Sequence, residues 1–246
     1  MMLDWQCRLL EHYRDQMEQL DLEVIPSTDF YALETAVKKM SPRQDWELTP
    51  QFSTKENTFS IKEAFWIGVW YKGQCIGVVA SKLQSLGEEA LGSYIQRYWH
   101  RAYEASTDVE FQFADWQKSI LSSYMGDVIY SGEFRVHPDF RGMHFAEAMA
   151  MFLRVYSFLR WEQANLFYIF MEDENARRNS LASRVQMTVQ IPNAINWQVA
   201  PSQAISGYWL CAMEKSHYHD FVQQWAESQK KPAKTTSQIA VIHRRS

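Results

Sequence analysis

The chain has 246 residues, of which 46% are apolar and 22% charged, a composition typical of a folded globular protein rather than a disordered one. Its 25 basic and 29 acidic residues give a net charge of −4 and, apart from the last segment, are interleaved, which excludes a dedicated nucleic-acid-binding surface. No stretch reaches the ~18 consecutive apolar residues of a membrane span, and the first residues lack the basic and apolar segments of a signal peptide. We therefore expect a cytoplasmic protein without a membrane partner.

Two compositional features bear on possible sites. The cysteines Cys7, Cys75 and Cys211 lie far apart without metal-ligand spacing, so the sequence predicts neither a disulfide framework nor a metal site. The aromatic content of 15% is high, and aromatic side chains serve either core packing or the lining of a ligand cleft. Composition leaves both uses open.

The N-terminal elements follow from the hydrophobic periodicity. Apolar residues at three- and four-residue spacing predict an amphipathic helix over residues 5–20. A short strand comes next, and then a second helix with Ser27 or Thr28 as its N-cap and Asp29 in its first turn. The polar residues 41–60 show no sustained period and predict a loop.

Strand patterns follow this loop. Residues 63–85 predict an antiparallel hairpin around the turn Lys72-Gly73-Gln74. Residues 86–125 are helical in part. The alternating segment DVIYSGEFRV, residues 127–136, predicts a strand, and the glycine inside it, Gly132, indicates a bulge or a close backbone approach. The alternation predicts two faces of this strand: Tyr130, Phe134 and Val136 on one, and Ser131, Glu133 and Arg135 on the other.

The chain after this strand predicts a βαβ unit. A turn at 137–142 leads into a helix from Met143 to about Trp161, and the nearly unbroken apolar run 165–171 predicts a buried parallel strand. A helix that begins after a glycine-containing loop presents unpaired N–H groups to an anion, and Arg141 would add positive charge.

The remaining elements have weaker sequence signals. They are a polar helix over 174–185, strands near 194–199 and 207–213, a last helix around 218–225, and a flexible basic tail over 230–246.

The residue identities in the βαβ segment indicate more about the protein than its hydrophobic periodicity does. The stretch GEFRVHPDFRGMHFAEAMAMFL resembles the acyl-CoA-binding motif of the GNAT superfamily of N-acyltransferases through Val136-His137-Pro138, Arg141, Gly142 and Ala146. The order of the elements resembles that family as well. The resemblance implies a mixed, mostly antiparallel α/β sheet with flanking helices over residues 22–229, preceded by an N-terminal helix at 1–21 and carrying an insertion at 86–125.

The resemblance also implies an activity. It indicates transfer of an acetyl or other acyl group from acyl-CoA, as co-substrate and without a metal, to the primary amine of a small molecule or peptide. The residues implied to hold CoA are Phe134, Arg135 and Val136 at the pantetheine arm, Arg141, Gly142, Met143, His144, Phe145 and Ala146 at the pyrophosphate, and Asn179 in a following helix motif.

For the catalytic base we expect Glu133, because it lies beside Gly132 on the polar face of the strand and a carboxylate is ionised at neutral pH. The alternative interpretation is a surface-facing or salt-bridged glutamate partnered by Arg135. Tyr130 and Tyr168 are the reserve candidates.

The sequence departs from the family pattern at two positions. His144 stands where the family has its middle glycine, and it either crowds the phosphate path or donates a hydrogen bond to it. Gln186 stands where the family often has a tyrosine that protonates the leaving thiolate. An alternative function is therefore a non-catalytic acyl-CoA-binding or interaction module. The sequence leaves the acceptor and the oligomeric state open.

Two further groups have two interpretations each. Arg177 and Arg178 either meet the 3′-phosphate of CoA or form an exposed helix face. The aromatic residues of the insertion either line an acceptor cleft or cover a sheet edge; they are Tyr94, Tyr98, Trp99, Tyr103, Phe111, Phe113 and Trp116.

Overall fold

The computed structural model describes residues 2–102, 112–177, 181–195 and 207–230. Its strands are β1 (Leu22–Ser27), β2 (Ala64–Tyr71), β3 (Gln74–Ser85), β4 (Asp127–Val136), β5 (Leu166–Glu172), β6 (Val189–Ile195) and β7 (Tyr208–Glu214). Its α-helices are α1 (Met2–Glu18), α2 (Phe30–Met40), α3 (Leu91–Ala102), α4 (Asp115–Leu121), α5 (Ala146–Arg160), α6 (Asp173–Arg177), α7 (Leu181–Arg184) and α8 (Lys215–Lys230). A 3₁₀ helix, Pro138–Met143, precedes α5.

The strands form one seven-stranded sheet in the order β1-β2-β3-β4-β5-β7-β6. Only β4 and β5 pair in parallel, through the α5 crossover, and every other neighbouring pair is antiparallel. This is the mixed, mostly antiparallel α/β fold predicted from the sequence.

Helices cover both faces of the sheet, which makes a three-layer structure. One face packs against α2, α3 and α4, and we call it the insertion face because α3 and α4 belong to the segment 86–125. The other face packs against α1, α5 and α8, and we call it the α5 face. α1 contacts α5, α8 and β1.

The predicted hairpin is present, with a tighter turn than expected. Lys72 and Gly73 form the two-residue turn with φ of 49° and 79°, and Gln74 already begins β3. Both residues have positive φ, as a type I′ turn requires, and this turn matches the twist of the flanking strands.

The second helix is capped at Asp29, one residue later than predicted, and begins at Phe30. Neither Ser27 nor Thr28 is the N-cap, because the side chain of Asp29 accepts the N–H groups of Tyr31 and Ala32 at 3.0 Å. An aspartate at this position satisfies two otherwise unpaired helix donors.

The C-terminal elements also differ in their bounds. The helix predicted over 174–185 is two short helices, α6 and α7, and the strand predicted near 194–199 is β6, five residues earlier. The tail predicted over 230–246 lies outside the described residues from 231 onward. Within the described ranges, no helix combines the length and apolarity that a bilayer crossing requires.

Candidate active site

The centre of the molecule is a bulge in β4. Val78 pairs with Arg135 and Ala80 pairs with Gly132, so Val79 alone lies opposite two residues of β4, Glu133 and its neighbour Phe134. Glu133 takes a φ of 54°, a left-handed conformation that inserts the extra residue. The bulge predicted beside Gly132 is confirmed.

The bulge also changes which side chains share a face. Tyr130 packs in the core of the insertion face, whereas Val136 packs against the core of the α5 face. The prediction that they point the same way is wrong, because the extra residue at Glu133 reverses the alternation beyond it.

Past the bulge, β4 and β5 no longer pair. Their register covers only Val128–Ser131 against Leu166–Ile169, and β5 continues with β7 as its partner. The divergence leaves a cavity of about 190 Å³ between the two strands. Its walls include Trp99 and Tyr208 together with Ala150 and Leu153 of α5, so it reaches from the insertion face to the α5 face.

Glu133 lies in the wall of this cavity with its side chain buried. The Thr49 N–H donates to Oε1 at 2.6 Å, and the Arg135 guanidinium lies 2.9 Å from Oε2. Arg135 also donates to the carbonyl of Glu47 at 2.6 Å. The salt bridge to Arg135 is therefore present, whereas a surface-facing Glu133 is wrong because the side chain is buried. The carboxylate also borders the cavity, where it has further lone pairs that can accept a proton.

Thr49 is a site residue that the sequence did not indicate. Its Oγ1 is a buried atom without a hydrogen-bond partner among the described residues, and the residue lines the cavity beside Glu133. Its segment is irregular and reaches Glu133 across 84 positions of sequence, so no local pattern could have revealed it. An unpaired buried hydroxyl next to a cavity is available for a ligand or water.

The start of α5 has no side-chain cap. The 3₁₀ helix ends at Met143, His144 has a φ of 58°, and the N-cap Phe145 makes no side-chain cap, so α5 begins at Ala146 rather than at Met143. The first amides of α5 therefore lack side-chain acceptors, and Arg141, in the 3₁₀ helix that precedes α5, is exposed. The left-handed backbone at His144 is a conformation that glycine adopts without strain.

Phe145 anchors this helix start on the sheet. It is buried, and its ring comes so close to Gly77 that a Cβ there would lie 2.8 Å from Cε2 of the ring. Gly77 therefore lets the amino end of α5 sit directly against β3.

The other implied CoA residues fall into separate environments. Phe134 is 37% exposed and lines the cavity, whereas the side chain of Arg135 is engaged by Glu133 and Val136 packs against the core of the α5 face. Gly142 is exposed. Asn179 lies outside the described residues.

Several further candidates now have a defined place. Arg177 forms an exposed ion pair with Asp173 at 2.8 Å, and Arg178 lies outside the described residues. Gln186 is exposed with a φ of 57° directly after α7 and does not line the cavity. No group of three or more potential metal ligands occurs within the described ranges.

The tyrosines near the site lie in two environments, the core and the cavity wall. Tyr168 donates to Gln84 Oε1 at 2.6 Å, and burial raises the pKa of its hydroxyl well above the usual 10, so it is a core residue rather than a base. Tyr130 and Tyr208 line the cavity.

The aromatic residues of the insertion are divided in the same way. Trp99 is buried and lines the cavity, with its ring centroid 4.7 Å from that of Phe170. Phe113 is buried in the core of the insertion face and Trp116 is half exposed. Tyr103 and Phe111 lie outside the described residues.

Three solved structures illustrate what this chain is similar to. NAA60 of Arabidopsis thaliana, in complex with a bisubstrate analogue, has a TM-score of 0.45 and 13% identity over 78% of this chain and 98% of its own. The ribosomal-protein-S18-alanine N-acetyltransferase of Escherichia coli has a TM-score of 0.41 and 8% identity over 78% of this chain and 92% of its own. A spermidine N-acetyltransferase SpeG chimera from Vibrio cholerae and hSSAT has a TM-score of 0.44 and 13% identity over 81% of this chain and 98% of its own.

No protein-family model matches the sequence, and no curated protein does. The chain's own structure combines a bulged β4, a helix α5 whose first amides have no side-chain cap, and a parallel strand β5 that diverges beyond the bulge. Together with the seven-stranded sheet, these features belong to the mixed, mostly antiparallel α/β fold that the sequence predicts.

Proposed function

We propose that this chain is an N-acetyltransferase that carries an acetyl group from acetyl-CoA to a primary amine by direct attack in a ternary complex. The observation that carries the proposal is the cavity between β4 and β5, which reaches both faces of the sheet and has Glu133 in its wall. Two ligands that approach from opposite faces can meet there without a covalent enzyme intermediate. Such an arrangement converts a bimolecular reaction into one between oriented neighbours.

The donor belongs on the α5 face. The uncapped amides at the start of α5 suit the pyrophosphate of CoA, and the exposed Arg141 of the preceding 3₁₀ helix adds positive charge. The edge of β4 beyond Ser131, no longer paired with β5, offers backbone groups to the amides of the pantetheine arm. Acetyl-CoA supplies an activated thioester; the chain orients it.

The acceptor then enters from the insertion face, between Trp99 and Tyr208. An amine must lose a proton before or during attack, and Glu133 is the carboxylate positioned to take it, directly or through a water held with Thr49 Oγ1. Glu133, the extra residue of the β4 bulge, is left out of the hydrogen-bond ladder with β3, so its backbone N–H can stabilise the thioester oxyanion. Since Gln186 does not line the cavity, although its neighbours Val185 and Met187 do, protonation of the leaving thiolate falls to Tyr130, Tyr208 or water.

A second candidate is a binding module that holds acyl-CoA without turnover. The observation that favours it is the tight engagement of the Glu133 carboxylate by Arg135 and the Thr49 amide. A carboxylate that keeps both partners has fewer lone pairs left for an amine proton.

Two measurements distinguish the candidates. Calorimetry with acetyl-CoA tests the donor site, and absence of binding would overturn both. Thiol release from acetyl-CoA is then measured with a panel of acceptors: spermidine, an aminoglycoside, free amino acids, and peptides with a free N-terminus or lysine. The enzyme should release CoA with at least one amine, and Glu133→Gln should lower kcat at unchanged acetyl-CoA affinity. Binding of acetyl-CoA without turnover of any amine in the panel would favour the binding module over the enzyme.

A further inference from the structure

A buried lysine lies just outside the proposed site. Lys82 is on β3, paired with Tyr130 of β4, and is only 7% exposed. It belongs to the insertion face and does not line the cavity. Lysine is rarely buried without a partner of opposite charge, so its place requires an explanation.

The Lys82 amine is held by two neutral acceptors. Nζ donates to the carbonyl of Gln51 and to the hydroxyl of Tyr98, both at 2.9 Å. The Tyr98 hydroxyl in turn donates to Asn57 Oδ1 at 2.9 Å, so each donor in this relay has an acceptor. Three rings surround the amine, with centroids at 4.5 to 5.7 Å: those of Tyr98, Phe52 and Tyr130.

No carboxylate forms an ion pair with Lys82 within the described ranges, and the charged group that acts on it is Arg101 of α3. Burial, with a contribution from Arg101, lowers the pKa of the Lys82 amine to about 7. A leucine or methionine would fill the same space without this cost. The hydrogen bonds of the amine therefore indicate the role of this buried lysine.

These contacts connect Lys82 to Glu133 through a single turn. The turn Thr49–Ser53 is closed by the N–H groups of Phe52 and Ser53, which both donate to the Thr49 carbonyl at 2.9 Å. Lys82 holds this turn at Gln51. At its other end the Thr49 N–H holds Glu133 Oε1.

Asn57 fixes the same turn from behind. Its Nδ2 donates to the carbonyls of Pro50 and Ser53 at 2.7 and 3.1 Å, and its Oδ1 is the acceptor for Tyr98. Lys82 thus reaches the turn by two routes, directly and through α3. Both routes consist of direct hydrogen bonds.

We propose that Lys82 is a positioning residue for Glu133. By holding the turn Thr49–Ser53, Lys82 keeps the Thr49 amide in hydrogen-bond contact with the Glu133 carboxylate. This contact orients the carboxylate towards the cavity. This inference rests on the proposed function for its catalytic consequence, but not for the structural link. The two can therefore be tested separately.

The structural link is tested by native-state hydrogen exchange without any substrate. In Lys82→Met the Thr49 amide should exchange about tenfold faster than in the wild type, because the turn loses its anchor. The matched control is Val222→Ala, a buried residue of α8 on the opposite face, which destabilises the fold without touching the turn. Tyr98→Phe, which keeps the ring and removes one acceptor of Lys82, should give a smaller change in the same direction.

Equal exchange at Thr49 in the wild type, Lys82→Met and Tyr98→Phe would overturn the proposal, and so would an increase matched by Val222→Ala. If Lys82→Met does not fold, Tyr98→Phe decides the question alone.

The catalytic consequence is tested with acetyl-CoA and whichever amine of the panel is turned over. Lys82→Met should lower kcat about tenfold while the KM for acetyl-CoA stays unchanged. In a double-mutant cycle, Glu133→Gln with Lys82→Met should be no slower than Glu133→Gln alone, because Lys82 acts through Glu133. Additive losses would overturn the positioning role. If the wild type turns over no amine at all, the proposed function fails, and hydrogen exchange still decides whether Lys82 holds the turn.

Discussion

Lys82 should make folding stability depend on pH near neutrality. Its pKa is lowered from 10.5 to about 7 in the folded protein, so between these values the unfolded chain binds a proton that the folded chain has released. Stability therefore rises with pH across this window and is lost as pH falls towards 7. Integrated from pH 7 to pH 8, the linkage relation yields about 1 kcal/mol of added stability.

Between pH 7 and pH 8, few other groups with a shifted pKa titrate. The pKa of Cys75 is raised by burial from 9.0 to about 11 and that of Cys211 to about 12, which lowers stability with rising pH. Their combined effect below pH 8 is about 0.1 kcal/mol, since few thiols of an unfolded chain ionise there. His219, whose pKa is lowered from 6.5 by burial, adds a similarly small increase.

Urea unfolding at pH 7 and pH 8 measures the effect. With an m-value of about 2.5 kcal/mol/M, the midpoint of the wild type should rise by about 0.4 M between the two pH values. Lys82→Met should show almost no rise. The control Lys118→Met, at an exposed lysine of α4, should behave as the wild type. If Lys82→Met keeps the pH dependence of the wild type, the reasoning about the buried amine is refuted.

Three other predictions follow from single contacts. Thr49→Val, which keeps the backbone amide and the side-chain shape, should lower kcat/KM for the amine about threefold to tenfold, with Thr49→Ser near the wild type; equal rates for both would remove the hydroxyl from the site. Gly77→Ala places a Cβ 2.8 Å from the Phe145 ring and should weaken acetyl-CoA binding, measured by calorimetry, by displacing the start of α5; an unchanged Kd would contradict that placement. His144→Gly relieves the left-handed backbone and should raise Tm by about 2 °C in a thermal melt, whereas a lower Tm would mean that the imidazole makes a stabilising contact.

The local elements were largely readable from the chain because each has a short-range cause. The hairpin around Gly73 and the strand β4 with its glycine have local patterns that survive packing, and the helical period after the turn at 137–142 placed the start of α5 within three residues. The errors arose where a local choice was decided by a competing contact. Asp29 rather than Ser27 caps α2 because its carboxylate reaches two amides at once.

The site was only half readable for the same reason. Glu133, Phe134 and Arg141 are consecutive or nearly so, and a strand followed by a helix brings them to one end of the sheet. Thr49 and Lys82 lie 84 and 51 positions from Glu133, and nothing in their own segments marks them. Lysine in an alternating strand even predicts a solvent-facing side chain.

By itself, then, the sequence determined the type of fold, the motif strand and the helix that follows it, because periodicity, turn chemistry and a short motif are properties of neighbouring residues. Only the tertiary structure decided that β4 and β5 diverge past the bulge, that the cavity between them reaches both faces, and that the turn Thr49–Ser53 lies between Lys82 and Glu133. Those arrangements depend on contacts between distant segments, and their energies come from burial and hydrogen bonds that form only when the sheet and its covering helices are assembled.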